Sequence, residues 1–126
     1  MIKYDKTFKE EWSTPVPLCS VIGESYGASM SMLTNDKLYM VYNDNEKNNG
    51  NLDPREIKKL MMLSQAVSVL VSIDLKTGSL TKQPLFDTGS IESILMPPKC
   101  LQSGPNEMIL FARKKANVNF GRLTLE

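Results

Sequence analysis

The chain has 126 residues, of which 41% are hydrophobic and 23% are charged, with 15 Lys plus Arg against 14 Asp plus Glu. This length is enough for one domain, or for part of a larger one. The net charge of +1 and the low aromatic content exclude the electrostatic footprint of a protein that binds nucleic acid or an anionic membrane surface. The sequence contains no histidine, which excludes serine and cysteine catalytic triads that need an imidazole base.

The sequence shows no membrane helix and no export signal, and it has two cysteines. The longest nearly apolar run, residues 66–73, is far shorter than the roughly 18 to 20 residues of a membrane helix. Charges near the N-terminus occupy the positions where a secretory signal would have its apolar core, so the chain shows no export signal of its own. Cys19 and Cys100 lie far apart with no neighbouring Cys or His, which excludes zinc-site spacing. The sequence leaves open two buried thiols or a disulfide.

Short strands and turns dominate the chain from its first residues. A strand pair at residues 2–5 and 8–12 ends at Pro15 and Pro17. A hairpin follows at residues 28–33 and 38–42, joined by a polar turn at 34–36. Another hairpin joins residues 67–75 to 80–86, because Gly78 can take the positive φ that a tight turn requires. Three more strands are predicted at residues 91–96, 107–112 and 118–125.

One helix interrupts this pattern of strands. Asp53, Pro54 and Glu56 have the order of a capping box, with the cap residue, a proline at the first helical position and a glutamate that reaches back. The sequence therefore predicts a short helix from about Pro54 to Ser64. Its apolar face is expected to lie against the sheet.

An internal repeat organises the strands. The segment around Asp5 matches that around Asp74, and the segment around Asn35 matches that around Asn106, at offsets of 69 and 71 residues. Two concordant offsets indicate a repeat of about 70 residues, each unit having four antiparallel strands. We expect residues 1–126 to form a single β module with blade-like units. Residues 1–18 would be a strand pair of a preceding or closing blade, residues 26–88 a first blade with an inserted loop and helix at 44–66, and residues 89–126 a second, incomplete blade.

A family resemblance agrees with this organisation. The segments that carry it are residues 37–44, 69–74, 98–100, 106–108 and 120–123. They resemble the C-terminal blades of large, uncharacterised bacterial β-propeller-like proteins. The resemblance implies a mostly β, propeller-like fragment whose parent protein is longer and exported, and it brings no established activity.

The segment from Asn43 to Glu56 is the best candidate for an ion site. A calcium-loop register that begins at Asn45 puts Gly50 sixth, Leu52 eighth, Asp53 ninth and Glu56 twelfth. Lys47 takes the third position, however, where a ligand oxygen is required. A polar loop leading into a capped helix is therefore the preferred interpretation.

Other candidate groups also have a simpler explanation. The cations at residues 113–115 are typical of a solvated turn, although Arg113 and Arg122 would bind a carboxylate if the fold brought them together. The aromatic residues on strands are more typical of core than of a carbohydrate-stacking platform; they are Trp12, Tyr39, Tyr42 and Phe111. Glu10 and Glu11 alternate faces of a strand, so they cannot act as a pair of glycosidase acids.

These observations predict a non-catalytic module with no cofactor, no metal and no catalytic residues. Its role would be structural, or binding of a partner or ligand through its loops. The partners expected are upstream blades of the same protein or a second copy, joined through exposed sheet edges. The competing hypothesis is a part of a propeller enzyme or carbohydrate-binding protein whose active residues lie outside this chain.

Overall fold

The first two strands form a hairpin that is a separate two-stranded sheet. The structure is a computed structural model that describes residues 1–18, 20, 23–48, 51–53, 55–86, 94–114 and 117–125. In the hairpin, β1 (Ile2–Tyr4) pairs antiparallel with β2 (Glu10–Ser13). Asp5 caps the connecting turn by accepting hydrogen bonds from the backbone N–H groups of Thr7 and Lys9. This turn passes through Phe8, which has a φ of 63°.

Four strands in chain order build the central sheet, because each apolar strand is followed by a short polar turn or a loop that returns antiparallel. They are β3 (Ser29–Leu33), β4 (Lys37–Asn45), β5 (Ala66–Asp74) and β6 (Leu80–Pro84). A four-residue helix, α1 (Glu24–Gly27), precedes them. The β5–β6 turn uses Asp74 as a cap for the N–H groups of Lys76 and Thr77, and it closes on Gly78 at a φ of 75°.

The C-terminal strands form a second sheet around one long strand. These strands are β7 (Ile94–Leu95), β8 (Leu101–Gly104), β9 (Glu107–Lys114) and β10 (Asn117–Thr124). Both β7 and β8 pair with β9, which pairs on its other side with β10 over eight residues without a register shift. Short 3₁₀ helices lie at Glu46–Asn48, Leu63–Gln65 and Pro97–Lys99.

The central sheet is covered on both faces. On one face Tyr39, Val41 and Leu70 belong to a core with Leu95 and Met108 of the second sheet. On the opposite face, Tyr42, Val69, Val71 and Ile73 are buried beneath Trp12 and Val16 of the N-terminal segment. The central sheet therefore lies between the hairpin and the second sheet. This arrangement is expected because both faces of its strands are apolar, and each face must be shielded from water by another layer.

The mostly β, antiparallel fold class is confirmed, and most strands lie where the sequence predicts them. The two main sheets are open and not closed into a ring. The short strand β8 and the helix α1 were not predicted. Of the strand predicted at residues 91–96, the structure describes only residues 94–96, and β7 covers two of these.

The predicted helix from Pro54 to Ser64 is wrong for the residues that the structure describes. In the described part of this range the Glu56 N–H donates to the Asp53 carbonyl, and the single helical element is the 3₁₀ helix that begins at Leu63. The backbone groups of Lys58 and Lys59 form hydrogen bonds with side chains instead of with other backbone groups of a helix. The Asn48 side chain accepts the Lys58 N–H and donates to the Lys58 carbonyl, and the Asn45 side chain donates to the Lys59 carbonyl. Leu60, fully buried, forms a bridge with Ser20. Tertiary contacts therefore override the capping signal.

Candidate functional site

A cluster of buried polar side chains lies at the end of β4. We call it the β4 polar cluster; its members are Asn43, Asp44, Asn45, Asn48, Ser68 and Lys82. Buried polar groups cost free energy unless they are hydrogen-bonded, so a cluster of this size needs partners for its donors and acceptors. Its members lie on both faces of the sheet because successive residues of a strand point to opposite sides.

On the face toward the second sheet, Asn43 links three elements. Its Nδ2 donates to the carbonyl of Tyr26 in α1 at 2.9 Å and to that of Leu95 in β7 at 2.7 Å. Its Oδ1 accepts the Ser68 hydroxyl at 2.7 Å, and the Ser68 Oγ accepts the Leu95 N–H at 3.1 Å. This half of the cluster fixes the packing of β7 on the central sheet, which is a structural task.

On the opposite face, Asp44 forms a buried ion pair with Lys82. The lysine Nζ lies 2.5 Å from Oδ2 of the aspartate, and the two side chains are 1% and 2% exposed. The Asn51 carbonyl lies 3.4 Å from the same nitrogen. The other carboxylate oxygen, Oδ1, accepts the Asn45 N–H at 2.9 Å and the Asn48 Nδ2 at 2.6 Å. Both oxygens of this carboxylate are therefore occupied by donors of this chain.

Tyr42 lies on the same face and shares this environment. Its hydroxyl donates to the Pro17 carbonyl at 3.1 Å. Burial raises the pKa of the phenol well above its ordinary value, and the negative charge of Asp44 raises this pKa further. Tyr42 is therefore a neutral donor that fastens the segment before α1, with no role as an acid at physiological pH.

Polar side chains of the calcium-loop register form hydrogen bonds with the loop and with the segment that follows it. The Asn45 Oδ1 accepts a hydrogen bond from the Lys47 N–H, and the Asn45 Nδ2 donates one to the Lys59 carbonyl. Asp53 accepts two hydrogen bonds from the Arg55 guanidinium, which together with the Arg55 N–H lower the pKa of the Asp53 carboxyl. Gly50 lies outside the described residues. In the described part of the chain, no group of three metal-ligating side chains converges.

The four aromatic residues do not form a platform. Tyr39 and Tyr42 are buried in cores on opposite faces of the central sheet. Trp12 lies over the Tyr42 face and donates its indole N–H to the Leu75 carbonyl at 2.9 Å. Phe111 contacts Phe120 edge to face, with ring centroids 4.8 Å apart. The interpretation of these side chains as core therefore holds for both tyrosines.

The candidate charged groups are also separated in space. The β9–β10 register puts Arg113 beside Val118 and Arg122 beside Ile109, so the two arginines lie about four residues, or roughly 13 Å, apart on one face. Arg122 instead lies 3.4 Å from Glu107. Glu11 pairs with Lys3 on the N-terminal hairpin. Lys115 lies outside the described residues.

Cys100 is a buried free thiol, and Cys19 lies outside the described residues. The Phe111 N–H donates to the Cys100 sulfur at 3.3 Å. Burial raises the pKa of this thiol, although the Phe111 hydrogen bond opposes the shift. Cys100 is therefore a packing residue with low reactivity in the folded state.

An exposed apolar surface lies on β10. Among the described residues this strand pairs with β9 alone, and all of its residues except Leu123 are exposed. Phe120 is 72% exposed, and Val118 is exposed beside it on the same face. A groove of about 300 Å³ adjoins the strand, with Phe86, Leu110, Ala112 and Asn119 among its lining residues. We call β10 with Val118 and Phe120 the β10 surface.

Comparison with known proteins yields no relative: no family model, curated protein or solved structure matches the chain. Among the described residues, no helix has the length and apolar content needed to cross a membrane. The site must therefore be interpreted from its own geometry.

Sequence reasoning missed Lys82 and Ser68, which complete the β4 polar cluster. Lys82 lies on a strand that ends at an exposed proline, where a lysine is normally a solvated edge residue. One feature of the sequence does indicate a buried polar cluster. The run Asn43-Asp44-Asn45 at the end of an apolar strand puts polar side chains on both faces of a sheet that is covered on both faces.

Proposed function

We propose that this protein is a non-catalytic, β-propeller-like module that acts as a structural and partner-binding unit. The observation that supports this proposal is the β10 surface, an eight-residue strand with one neighbour among the described residues and an exposed phenylalanine at its centre. Such an edge offers unpaired N–H and C=O groups to another strand.

The strand has few of the features that protect an edge from pairing. It contains no proline and no lysine, and its pairing with β9 has no bulge. Its single charged residue, Arg122, lies near Glu107 of the same chain. Large exposed apolar side chains beside such an edge are typical of an interaction surface.

A second copy of the chain fits this edge through a two-fold axis. An antiparallel pair of β10 strands centred on Phe120 would put the two phenylalanine rings opposite each other, an arrangement that favours sheet pairing. In this register each Arg122 would face Val118 of the other copy, so the two positive charges would remain apart. The interface would be at the small end of specific interfaces, and association would therefore depend on protein concentration.

The interior chemistry also favours a structural role. Almost every buried polar side-chain atom in the described residues has an internal partner, Gln65 Oε1 being the exception. Asp44, Lys82, Asn43 and Ser68 are all used in contacts between elements. Of these, Asp44, Lys82 and Ser68 are the groups that would otherwise serve as an acid, a base or a nucleophile, whereas the Asn43 amide only donates and accepts hydrogen bonds.

Sedimentation velocity over a hundredfold range of concentration tests this proposal. The wild-type chain is expected to change from monomer to dimer as concentration rises, and Phe120→Lys and Val118→Lys should each keep it monomeric. Leu33→Lys is the matched control, because Leu33 is an exposed leucine at the edge strand β3 of the other sheet. Circular dichroism verifies that each variant folds.

A wild-type chain that stays monomeric at every concentration would overturn the β10 assignment. The assignment would also fail if Leu33→Lys abolished the dimer while Phe120→Lys left it intact.

A further inference from the structure

We propose that the groove beside β10 binds a small amphipathic anion, an alkyl chain that carries one carboxylate. Phe120 borders both the groove and the strand edge of the β10 surface. Asn119 and Gly121, which also line the groove, point to the opposite face of β10 from Val118 and Phe120. Ligand binding to the groove therefore does not require the proposed dimer, and the two can be tested separately.

The groove is formed between the two main sheets. The second sheet contributes Leu110 and Ala112 from β9, and Asn119 and Gly121 from β10. Phe86, which follows β6 of the central sheet, lines the same groove. Its volume of about 300 Å³ is at the lower end of the sizes of small-molecule sites, and a mostly apolar lining with few polar groups is typical of such sites.

Gly121 indicates that a ligand approaches β10 closely. The residue lies in the interior of an eight-residue strand whose pairing with β9 has no register shift, so it does not form a bulge. Its φ is not positive, and an added Cβ would make only an ordinary contact of 4.0 Å with the Cβ of Leu110. Neither the backbone nor the described packing therefore requires a glycine here. A glycine inside a strand weakens the sheet, and it often marks a place where a ligand lies against the backbone.

Lys114 gives the groove a positive charge. The residue is half-buried, and no carboxylate of the described residues forms an ion pair with its ammonium group. By contrast, Lys82 has its partner in Asp44. Asn119 is the other polar side chain of the lining, and no acidic residue lines the groove. The charge of the groove is therefore complementary to an anion.

The register of the strands defines the shape of the ligand. Lys114, Ala112 and Leu110 alternate along one face of β9, so Lys114 and Leu110 lie about 13 Å apart along the strand. Asn119 pairs with Ala112 and is diagonally opposite Lys114 on the same face. A carboxylate can accept hydrogen bonds from both of these side chains. An alkyl tail of medium length would then cover Leu110 and Gly121.

Titration of the folded chain with decanoate, followed by amide chemical shifts in nuclear magnetic resonance spectra, tests the proposal. We expect saturable binding, with the largest shifts at Leu110, Ala112 and Gly121. Decyltrimethylammonium has the same alkyl chain with a cationic head, and it should bind at least about tenfold more weakly. Both probes are used below the concentrations at which they form micelles.

Two substitutions test the site itself. Gly121→Leu puts a side chain into the groove at a strand position that tolerates it, so the variant should fold and bind decanoate about tenfold more weakly or less. Lys114→Met should weaken decanoate binding by about tenfold as well, whereas Lys114→Arg should retain most of it. Lys6→Met is the matched control, because it removes an exposed lysine outside the groove and should bind as the wild type does.

A folded wild-type chain that shows no saturable binding of decanoate would overturn the proposal. Equal affinity for the two head groups, or unchanged binding by the folded Gly121→Leu variant, would refute it as well. Sedimentation velocity decides separately whether the chain forms a dimer, so failure of one proposal is distinguishable from failure of the other.

Discussion

Gly78→Ala is expected to lower the free energy of unfolding by about 2–3 kcal/mol. The residue has a φ of 75°, where an L-residue other than glycine is strained by roughly 1–2 kcal/mol. An added Cβ would also lie 2.8 Å from Cδ2 of Trp12, so the indole ring must move. If it moves, the bond from its N–H to the Leu75 carbonyl is weakened, at a cost of about 1 kcal/mol.

The two causes can be separated by a double-mutant cycle. In a Trp12→Ala background the steric conflict is gone, and Gly78→Ala should cost only the backbone strain of roughly 1–2 kcal/mol. Gly104→Ala is the control, because its Cβ would have an ordinary contact of 3.6 Å and its φ is not positive. That substitution should change stability by less than about 0.5 kcal/mol.

Urea unfolding followed by far-ultraviolet circular dichroism measures all these variants. Trp12 is the single tryptophan of the chain, so its fluorescence also reports directly on the contact with Gly78 in the variants that keep it. An equal cost of Gly78→Ala with and without Trp12 would show that the ring contact is not the cause. A cost as small as that of Gly104→Ala would refute the reasoning entirely.

The remaining predictions concern buried and capping groups. Tyr42→Phe removes the hydrogen bond to Pro17 and should lower stability by about 1 kcal/mol in urea unfolding; no loss would contradict that bond. The pKa of Asp74 is lowered by the N–H groups of Thr77 and Lys76, so its contribution is present above the ordinary carboxyl pKa and is lost as pH falls through the lowered value. Asp74→Asn should therefore make stability less dependent on pH in acid melts, and an unchanged dependence would be contrary evidence. Burial raises the pKa of Cys100, so in a Cys19→Ser background a thiol reagent should label the native chain far more slowly than the unfolded chain. Asn48→Ala leaves two backbone groups of Lys58 unpaired, and trypsin should cleave after Lys58 and Lys59 faster than in an Asn35→Ala control.

The strands could be predicted because their signal is local. Alternating β-branched residues and polar turns predict β3 to β6 within a few residues, and the Asp74 and Gly78 turn follows from side-chain chemistry that needs no distant partner. The separation of Tyr39 from Tyr42 could also have been foreseen, since residues three apart on a strand point to opposite faces.

The helix and the β4 polar cluster depend on distant partners. The capping sequence at Asp53 predicts a helix only if the next backbone groups are free to bond to each other, and the side chains of Asn45 and Asn48 take those groups instead. Lys82 is polar on an edge strand and therefore gives the signal of a solvated residue. Its burial follows from contacts with Asp44 and Asn51, which lie more than thirty positions earlier in the chain.

The contact of Trp12 with Leu75 has a consequence for the order of folding during synthesis. The two residues are 63 positions apart. At roughly 5–20 residues per second, the ribosome therefore needs about 3–13 s after Trp12 to synthesise Leu75. The β1–β2 hairpin is complete in sequence for most of that time. An isolated hairpin is marginally stable in water, and closing so long a loop is slow. The Tyr42 face of the central sheet must therefore stay uncovered until the β5–β6 turn emerges. During that interval the apolar side chains of the Tyr42 face are open to chaperones and to other chains.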